Sequence, residues 1–295
     1  MSCLPQHARR VVFTGTLLSW AAAGVPAAEP VALKNVKTER VVFHKVGDLE
    51  LYMDLFLPGD VSAGQKRPAV VWFHGGGWRG GSPKQFAPQS QYLASQGLVC
   101  ASVRYRLSGE AKFPACLNDC KCAVRFVRAN AVKYGVDPNR IAVGGGSAGG
   151  HLAAMVGLTP DKFEGDGPNA NASSRANLLL LFNPALDLRA YGRSNMVRDL
   201  LGTKTPTQPQ LTEISPIVYV SDKAPPALVL HGDRDRTVPY KQAVAFCEAL
   251  RKKGVSTELF TAEGKGHGWF NRGQDFLITL EQCVRFLKAN RFWPQ

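Results

Sequence analysis

Residues 140–155 run from a short strand, through a stretch of very small residues, into an apolar helical segment. Arg140, Ile141, Ala142 and Val143 form the strand, Gly144-Gly145-Gly146-Ser147-Ala148-Gly149 the turn, and His151-Leu152-Ala153-Ala154-Met155 the start of the helix. So sharp a reversal needs small residues on both sides of its apex, because strand and helix backbones must approach closely there. The segment therefore predicts a βα unit with one serine, Ser147, at the turn.

The rest of the chain supplies the partners of that unit. Residues 69–73 (AVVWF), 99–105, 177–182 (NLLLLF), 227–230 and 257–261 are short runs rich in β-branched, aromatic or aliphatic residues. Runs that are apolar on both faces suit buried strands of a mostly parallel sheet. Between them, residues 114–134, 240–253 and 276–289 carry apolar residues at helical spacing. Strands alternating with helices predict an α/β fold, a mostly parallel central sheet with helices on both faces. Residues 186–215 break the alternation. They are polar, with Gly and Pro and weak periodicity, and are expected to form a lid-like insertion. No linker marks a second domain, so residues 29–295 are expected to be one domain.

Chemistry concentrates in four loops. A serine held in a strained turn at a helix N-terminus projects its hydroxyl where negative charge is favoured. His74-Gly75-Gly76-Gly77-Trp78 follows an earlier strand, and glycines there allow backbone N–H groups to converge on a developing oxyanion. Gly76, Gly77 and Ala148 are the expected donors, with Gly75 a further candidate. His231-Gly232-Asp233-Arg234-Asp235 follows residues 227–230 and offers two carboxylates. His267, among glycines after residues 257–261, can swing to a serine and act as its base, with a carboxylate fixing its tautomer. His44 lies before the expected sheet, His74 anchors its loop, and His151 and His231 are expected to be structural. The run 144–149 also fits the G-x-G-x-x-G dinucleotide pattern. That pattern belongs at the first strand of its unit, and residues 164–172 around Asp166 look like a loop, which argues against it.

These motifs resemble the α/β-hydrolase superfamily. HGGGW with GGSAGG is similar to the bacterial carboxylesterases related to hormone-sensitive lipase. Tyr105-Arg106-Leu107, Phe113-Pro114-Ala115, residues 136–141 (VDPNRI), Ser215-Pro216 and HGDRDRTVP are similar to the exported acetylxylan and feruloyl esterase-like branch. The resemblance covers about residues 38–290. It implies an α/β-hydrolase fold and a serine carboxylesterase with Ser147, Asp235 and His267 as catalytic residues, Asp233 being a supporting neighbour. It implies short-chain acyl esters, including acetyl or feruloyl groups of plant polysaccharides, and no metal or cofactor. Trp78, Leu107 and Phe113 are candidate pocket residues. Alternatives are a serine peptidase of prolyl-oligopeptidase type, which usually carries a propeller for which the chain leaves no room, and a non-catalytic binding protein, which typically loses the serine or histidine.

Charge and cysteines bound the setting. The formal net charge is +13, but Lys and Arg are dispersed and no nucleic-acid-binding pattern occurs, so a nucleic-acid partner is not expected. An anionic polymer remains a candidate partner. His7, Arg9 and Arg10 precede an apolar run over 11–25 and small residues at 25–27. Residues 1–28 are thus expected to be a cleaved signal peptide, placing the protein outside the cytoplasm, secreted or periplasmic, with no stable membrane insertion. Six of the seven cysteines lie beyond that segment. Cys116 and Cys120 are expected in a core, and Cys247 with Cys283, on two late helices, is the expected disulfide.

Overall fold

The computed structural model describes residues 35–294. The expected signal peptide, residues 1–28, lies outside the described residues. Eight strands form one sheet in the order β1-β2-β4-β3-β5-β6-β7-β8. β1 (Val36–Val46) and β2 (Leu49–Pro58) form an antiparallel hairpin at one edge, and β2 pairs antiparallel with β4 (Val99–Val103). β3 (Arg67–Phe73), β5 (Val136–Gly146), β6 (Leu178–Phe182), β7 (Ala227–Gly232) and β8 (Thr257–Ala262) continue it with parallel pairings. This is an α/β-hydrolase architecture, a mostly parallel sheet between two helical layers.

Side-chain alternation along the strands builds two cores. Val71, Phe73, Val143, Leu179, Leu181 and Val229 face one layer. That layer holds α2 (Ala115–Ala129), α3 (Ala131–Tyr134), α4 (Ala148–Leu158) and α7 (Lys241–Lys252). Val70, Trp72, Ala142, Leu180, Phe182 and Leu228 face the other, formed by α1 (Ala87–Ser95) and α8 (Gly273–Ala289). Stacking of Trp72 on Phe86 at 4.8 Å and of Phe86 on Phe270, with Phe182 tilted against Phe270 at 4.9 Å, fills this second core. Among the described residues no helix is long and apolar enough to cross a membrane.

Two expectations are corrected. Cys247 and Cys283 form no disulfide; both are buried free thiols. Cys247 belongs to the core under α7 and Cys283 to the core under α8, so the sheet stands between them. Helices consecutive in sequence need not share a face, and sequence spacing alone hides that. His44 lies within the sheet, on β1 opposite Leu51, rather than before it.

The 186–215 segment is less irregular than expected. It folds into α5 (Asn195–Leu201) and α6 (Gln208–Glu213). Thr207 caps α6 in a reciprocal capping box with Gln210. Leu186, Leu188, Val197, Leu200, Leu211 and Ile214 anchor the segment on the first core.

Candidate active site

The carboxyl ends of the parallel strands carry every loop singled out in the sequence. Ser147 sits between β5 and α4 with φ 54° and ψ −116°, a conformation an L-residue rarely adopts. Its N–H donates to Phe182 O at 2.8 Å, and His151 N–H donates to Ser147 O at 2.9 Å. The turn is this tight because of glycine: a Cβ on Gly149 would meet Phe73 O at 2.0 Å. Ser147 is therefore held from both sides with its hydroxyl outward.

His267 reaches it from the loop after β8. Ser147 Oγ–H faces His267 Nε2 at 2.9 Å, and His267 Nδ1–H donates to Asp235 Oδ2 at 2.7 Å. Asp235 is saturated with donors. Its Oδ1 accepts the N–H groups of Thr237 and Val238 at 2.8 and 2.9 Å. Its Oδ2 also lies 3.2 Å from His231 Nε2. Burial pushes the carboxyl upward, but the donors from His231, His267 and Val238 outweigh it and hold it well below the usual carboxylate range. Asp233 is exposed and turned elsewhere, with Oδ1 accepting Gly264 N–H at 2.7 Å.

The glycine loop after β3 completes the ring. Gly75 N–H already donates to Gln85 Oε1 at 2.6 Å, so it has no donor to spare. The N–H groups of Gly76, Gly77 and Ala148 have no protein acceptor among the described residues. Gly76 and Gly77 take φ of 116° and 61°, which glycine permits without strain. Gln85 also donates to Asn271 Oδ1 at 3.2 Å, tying the glycine loop to the loop that carries His267.

Histidines beneath the site act as bolts. His74 stacks on Tyr105 at 4.3 Å and bonds Gly75 O at 2.8 Å. His151 accepts Trp78 Nε1–H at 3.2 Å on Nδ1, and its Nε2–H donates to Ile214 O at 2.8 Å, linking glycine loop, α4 and insertion. Burial lowers each of the two to about 4, so both are neutral at pH 7.

A cavity of about 300 Å³ opens beside Ser147 and His267. Its walls are mostly apolar: Trp78, Ala185, Leu188, Met196, Val197 and Val238. Of the three expected pocket residues, Trp78 lines it; Leu107 and Phe113 do not. Phe113 donates its N–H to Leu200 O at 2.8 Å and packs edge-on against Phe163 at 5.4 Å, supporting the insertion from behind. Leu107 packs against the first core. The missed wall comes from the insertion, where Leu188, Tyr191, Met196 and Val197 are apolar residues in an otherwise polar segment. That contrast was the only sequence signal for them.

Comparison with known proteins gives the family of the chain. The BD-FAE family pattern matches residues 53–250. Esterase LipQ of Mycobacterium tuberculosis is 30% identical over 233 residues, covering 76% of this chain and 55% of its own length. Esterase LipC of the same organism is 34% identical over 214 residues, 68% of this chain and 53% of its own. The chain thus spans about half the length of these curated relatives. The butyrate-bound structure of esterase Est2 of the planctomycete Thermogutta terrifontis superposes with a TM-score of 0.79 at 37% identity, covering 88% of this chain and 96% of that one.

Proposed function

The chain belongs to the BD-FAE family of α/β-hydrolases, and on that premise we propose that it hydrolyses carboxylic esters by acyl transfer through Ser147. The observation that carries this reading is the continuous hydrogen-bond chain from Ser147 Oγ to His267 at 2.9 Å and on to Asp235 at 2.7 Å, beside three uncommitted N–H donors.

In the proposed reaction, Ser147 Oγ adds to the ester carbonyl carbon while its proton passes to His267 Nε2. The carbonyl oxygen becomes an oxyanion and accepts from Gly76, Gly77 and Ala148, donors that need no reorganisation. The carbon–oxygen bond to the alcohol breaks, and His267 returns its proton to the departing oxygen. Water then adds to the acyl-enzyme, losing a proton to His267. Collapse frees the carboxylic acid and Ser147 takes the proton back. Asp235 stays ionised throughout and holds the His267 tautomer that presents a bare Nε2.

A cavity of about 300 Å³ is at the small end for ligand sites, and its apolar wall suits an acyl chain of a few carbons. The butyrate found in the related Est2 structure agrees with that size. Short-chain acyl groups, among them acetyl groups on plant polysaccharides, are the substrates this favours. A planar feruloyl group demands more length, and Met196 stands in its way. The positive start and apolar run of residues 1–28 support export and removal of that segment, with a secreted or periplasmic mature enzyme.

The test is one panel of initial rates: p-nitrophenyl acetate, butyrate and decanoate, methyl ferulate and acetylated xylan, with Ser147→Ala in parallel. Acetate and butyrate cleavage that vanishes in Ser147→Ala is expected. Residual turnover in that variant within tenfold of the parent would overturn the assignment.

A further inference from the structure

The loops after β6, β7 and β8 all emerge at the carboxyl end of the sheet where Ser147 stands, and each carries an exposed arginine next in sequence to a residue of the cavity wall. Arg193, in the insertion, directly precedes the lining residue Ser194. Arg236 directly precedes Thr237, and Arg272 directly follows Asn271. Arg234, on the other side of Asp235 in the β7 loop, is exposed as well.

None of these four makes a side-chain hydrogen bond or an ion pair among the described residues. Away from the site, Arg175 and Arg291 are likewise free among the described residues, but most arginines are engaged. Elsewhere Arg40 holds Asp54, Arg67 holds Asp60, Arg140 holds Asp137 and Arg189 holds Asp187. The acids near the rim are engaged otherwise. Asp199 pairs with Arg79 and Asp275 with Lys265. Asp233 accepts a backbone N–H, and it and Glu263 lie exposed without a cation among the described residues, so the four arginines outnumber these two carboxylates and the buried Asp235 between them. Unpaired like charges gathered around one concavity repel each other in the empty protein. They raise a positive potential over the mouth and favour an anion there.

The charge sits outside the apolar chamber. Ala185, Leu188, Met196 and Val197 line the cavity itself, so it takes an uncharged acyl group. The part of an ester left at the rim is then its alcohol. Resting on the esterase reading above, we propose that the preferred substrate is a short-chain acyl ester of an anionic alcohol, such as a carboxylate-bearing sugar. Its negative charge meets Arg193, Arg236 and Arg272 at the mouth while the acyl group enters the cavity. The arginines act on capture of the substrate and leave the bond-breaking steps to Ser147 and His267.

The experiment compares 4-acetoxybenzoate with its neutral methyl ester, methyl 4-acetoxybenzoate, at low and high NaCl, in the parent and in an R193Q/R236Q/R272Q variant. Salt screens exposed charges beyond about 8 Å at physiological strength. Raising NaCl from about 20 to about 500 mM is therefore expected to lower kcat/KM roughly fivefold for the anionic ester and less than twofold for the neutral one. In the triple variant the salt response disappears and the anionic-to-neutral ratio of kcat/KM falls about tenfold. Equal salt responses in the parent, or an unchanged ratio in the variant, overturn the proposal while leaving the esterase reading intact. Hydrolysis of neither ester removes that reading and this one with it. Acetate release from partly acetylated polygalacturonate, set against acetylated xylan, separates the sources of charge. Faster release from the polyanion assigns the arginines to an acidic polymer, and a preference seen only with 4-acetoxybenzoate assigns them to a small acid.

Discussion

His231 Nε2 lies 3.2 Å from the same Asp235 oxygen that accepts the Nδ1–H of His267. The same Nε2 is 2.9 Å from Val238 O. Both neighbours are acceptors, so Nε2 carries the hydrogen and shares it. Nδ1 is left buried with no partner, a penalty of about 1–3 kcal/mol that the fold tolerates at this spot. His231 is thus a positioning residue that acts through Asp235. Removing its donor in His231→Phe is expected to lower kcat about tenfold, or roughly 1.4 kcal/mol. It also removes one of the donors that depress the Asp235 carboxyl. The remaining donors from His267, Thr237 and Val238 keep that carboxylate ionised, so the pH–rate profile should hold its shape while kcat falls. His231→Gln, whose amide nitrogen can reach the same place, should restore kcat. A His231→Phe variant with unchanged kcat, or a loss that His231→Gln does not rescue, would make His231 merely structural.

The two aspartates of the β7 loop should separate cleanly. Asp235→Asn keeps the size of the side chain but offers His267 the wrong partner, so kcat should fall by roughly 10³–10⁴. Asp233→Asn keeps an amide oxygen that can accept Gly264 N–H and removes only an exposed charge, so less than tenfold is expected. Steady-state kinetics on p-nitrophenyl butyrate decides; equal losses would move the acid away from Asp235.

What could be read from the chain before folding follows burial. β3, β6 and β7 lie between two helical layers and announce themselves as apolar runs, while only residues 140–143 of β5, leading into glycines, were legible. The β1–β2 hairpin was missed because its outer strand, VKTERVVFHKV, is half exposed and charged. α1, with the sequence APQSQYLAS, was missed because it buries Gln89, Ser90 and Ser95 rather than an apolar stripe. Ser147, His267 and Asp235 were legible because each loop needs glycine or a fixed turn to present its side chain. The cavity wall was not, since Leu188, Met196 and Val197 meet Ser147 only through the path of the insertion. No periodicity encodes that path.

Acyl-chain preference should respond to Met196 and not to Phe113. A Cβ added to Gly77 would come within 2.5 Å of Met196 Sδ, so the thioether closes the cavity over the glycine loop. Met196→Ala opens that end and is expected to move the best p-nitrophenyl ester from acetate or butyrate toward hexanoate or longer. Phe113→Ala removes support behind α5 and should lower stability by about 2–4 kcal/mol, leaving the order of chain lengths unchanged. If the Phe113 variant reorders the chain lengths, it belongs to the wall after all.

The six described cysteines are buried free thiols. Burial pushes Cys116 and Cys247 up to about 12, so the reactive thiolate is scarce at pH 8. Dithiothreitol should therefore leave the thermal midpoint within about 1 °C, where loss of a native disulfide would remove 2–5 kcal/mol. Thiol titration should find no fast-reacting group in the folded protein and all of these thiols after denaturation. A large reductant-induced drop in the midpoint would restore a bridge between helices that the sheet holds apart.

Acid should weaken the fold through His74 and His151. Both are buried and held at about 4, below the ordinary 6.5 of an exposed imidazole. The unfolded chain therefore binds protons on these two sites between pH 6.5 and 4 while the native state does not. Stability is full above pH 6.5 and falls as pH drops to about 4, below which both states are protonated and the loss stops growing. Each histidine accounts for a loss on the order of 3 kcal/mol by then. Urea midpoints measured from pH 8 to pH 4 should follow that course. His151 cannot lose its bonds to Trp78 and Ile214 without freeing both the glycine loop and the insertion. His151→Gln, with an amide that cannot titrate in this range, should be less stable at pH 7 but flatter toward acid. A parent curve with no slope between pH 6.5 and 4 would mean these imidazoles are not the neutral bolts their burial implies.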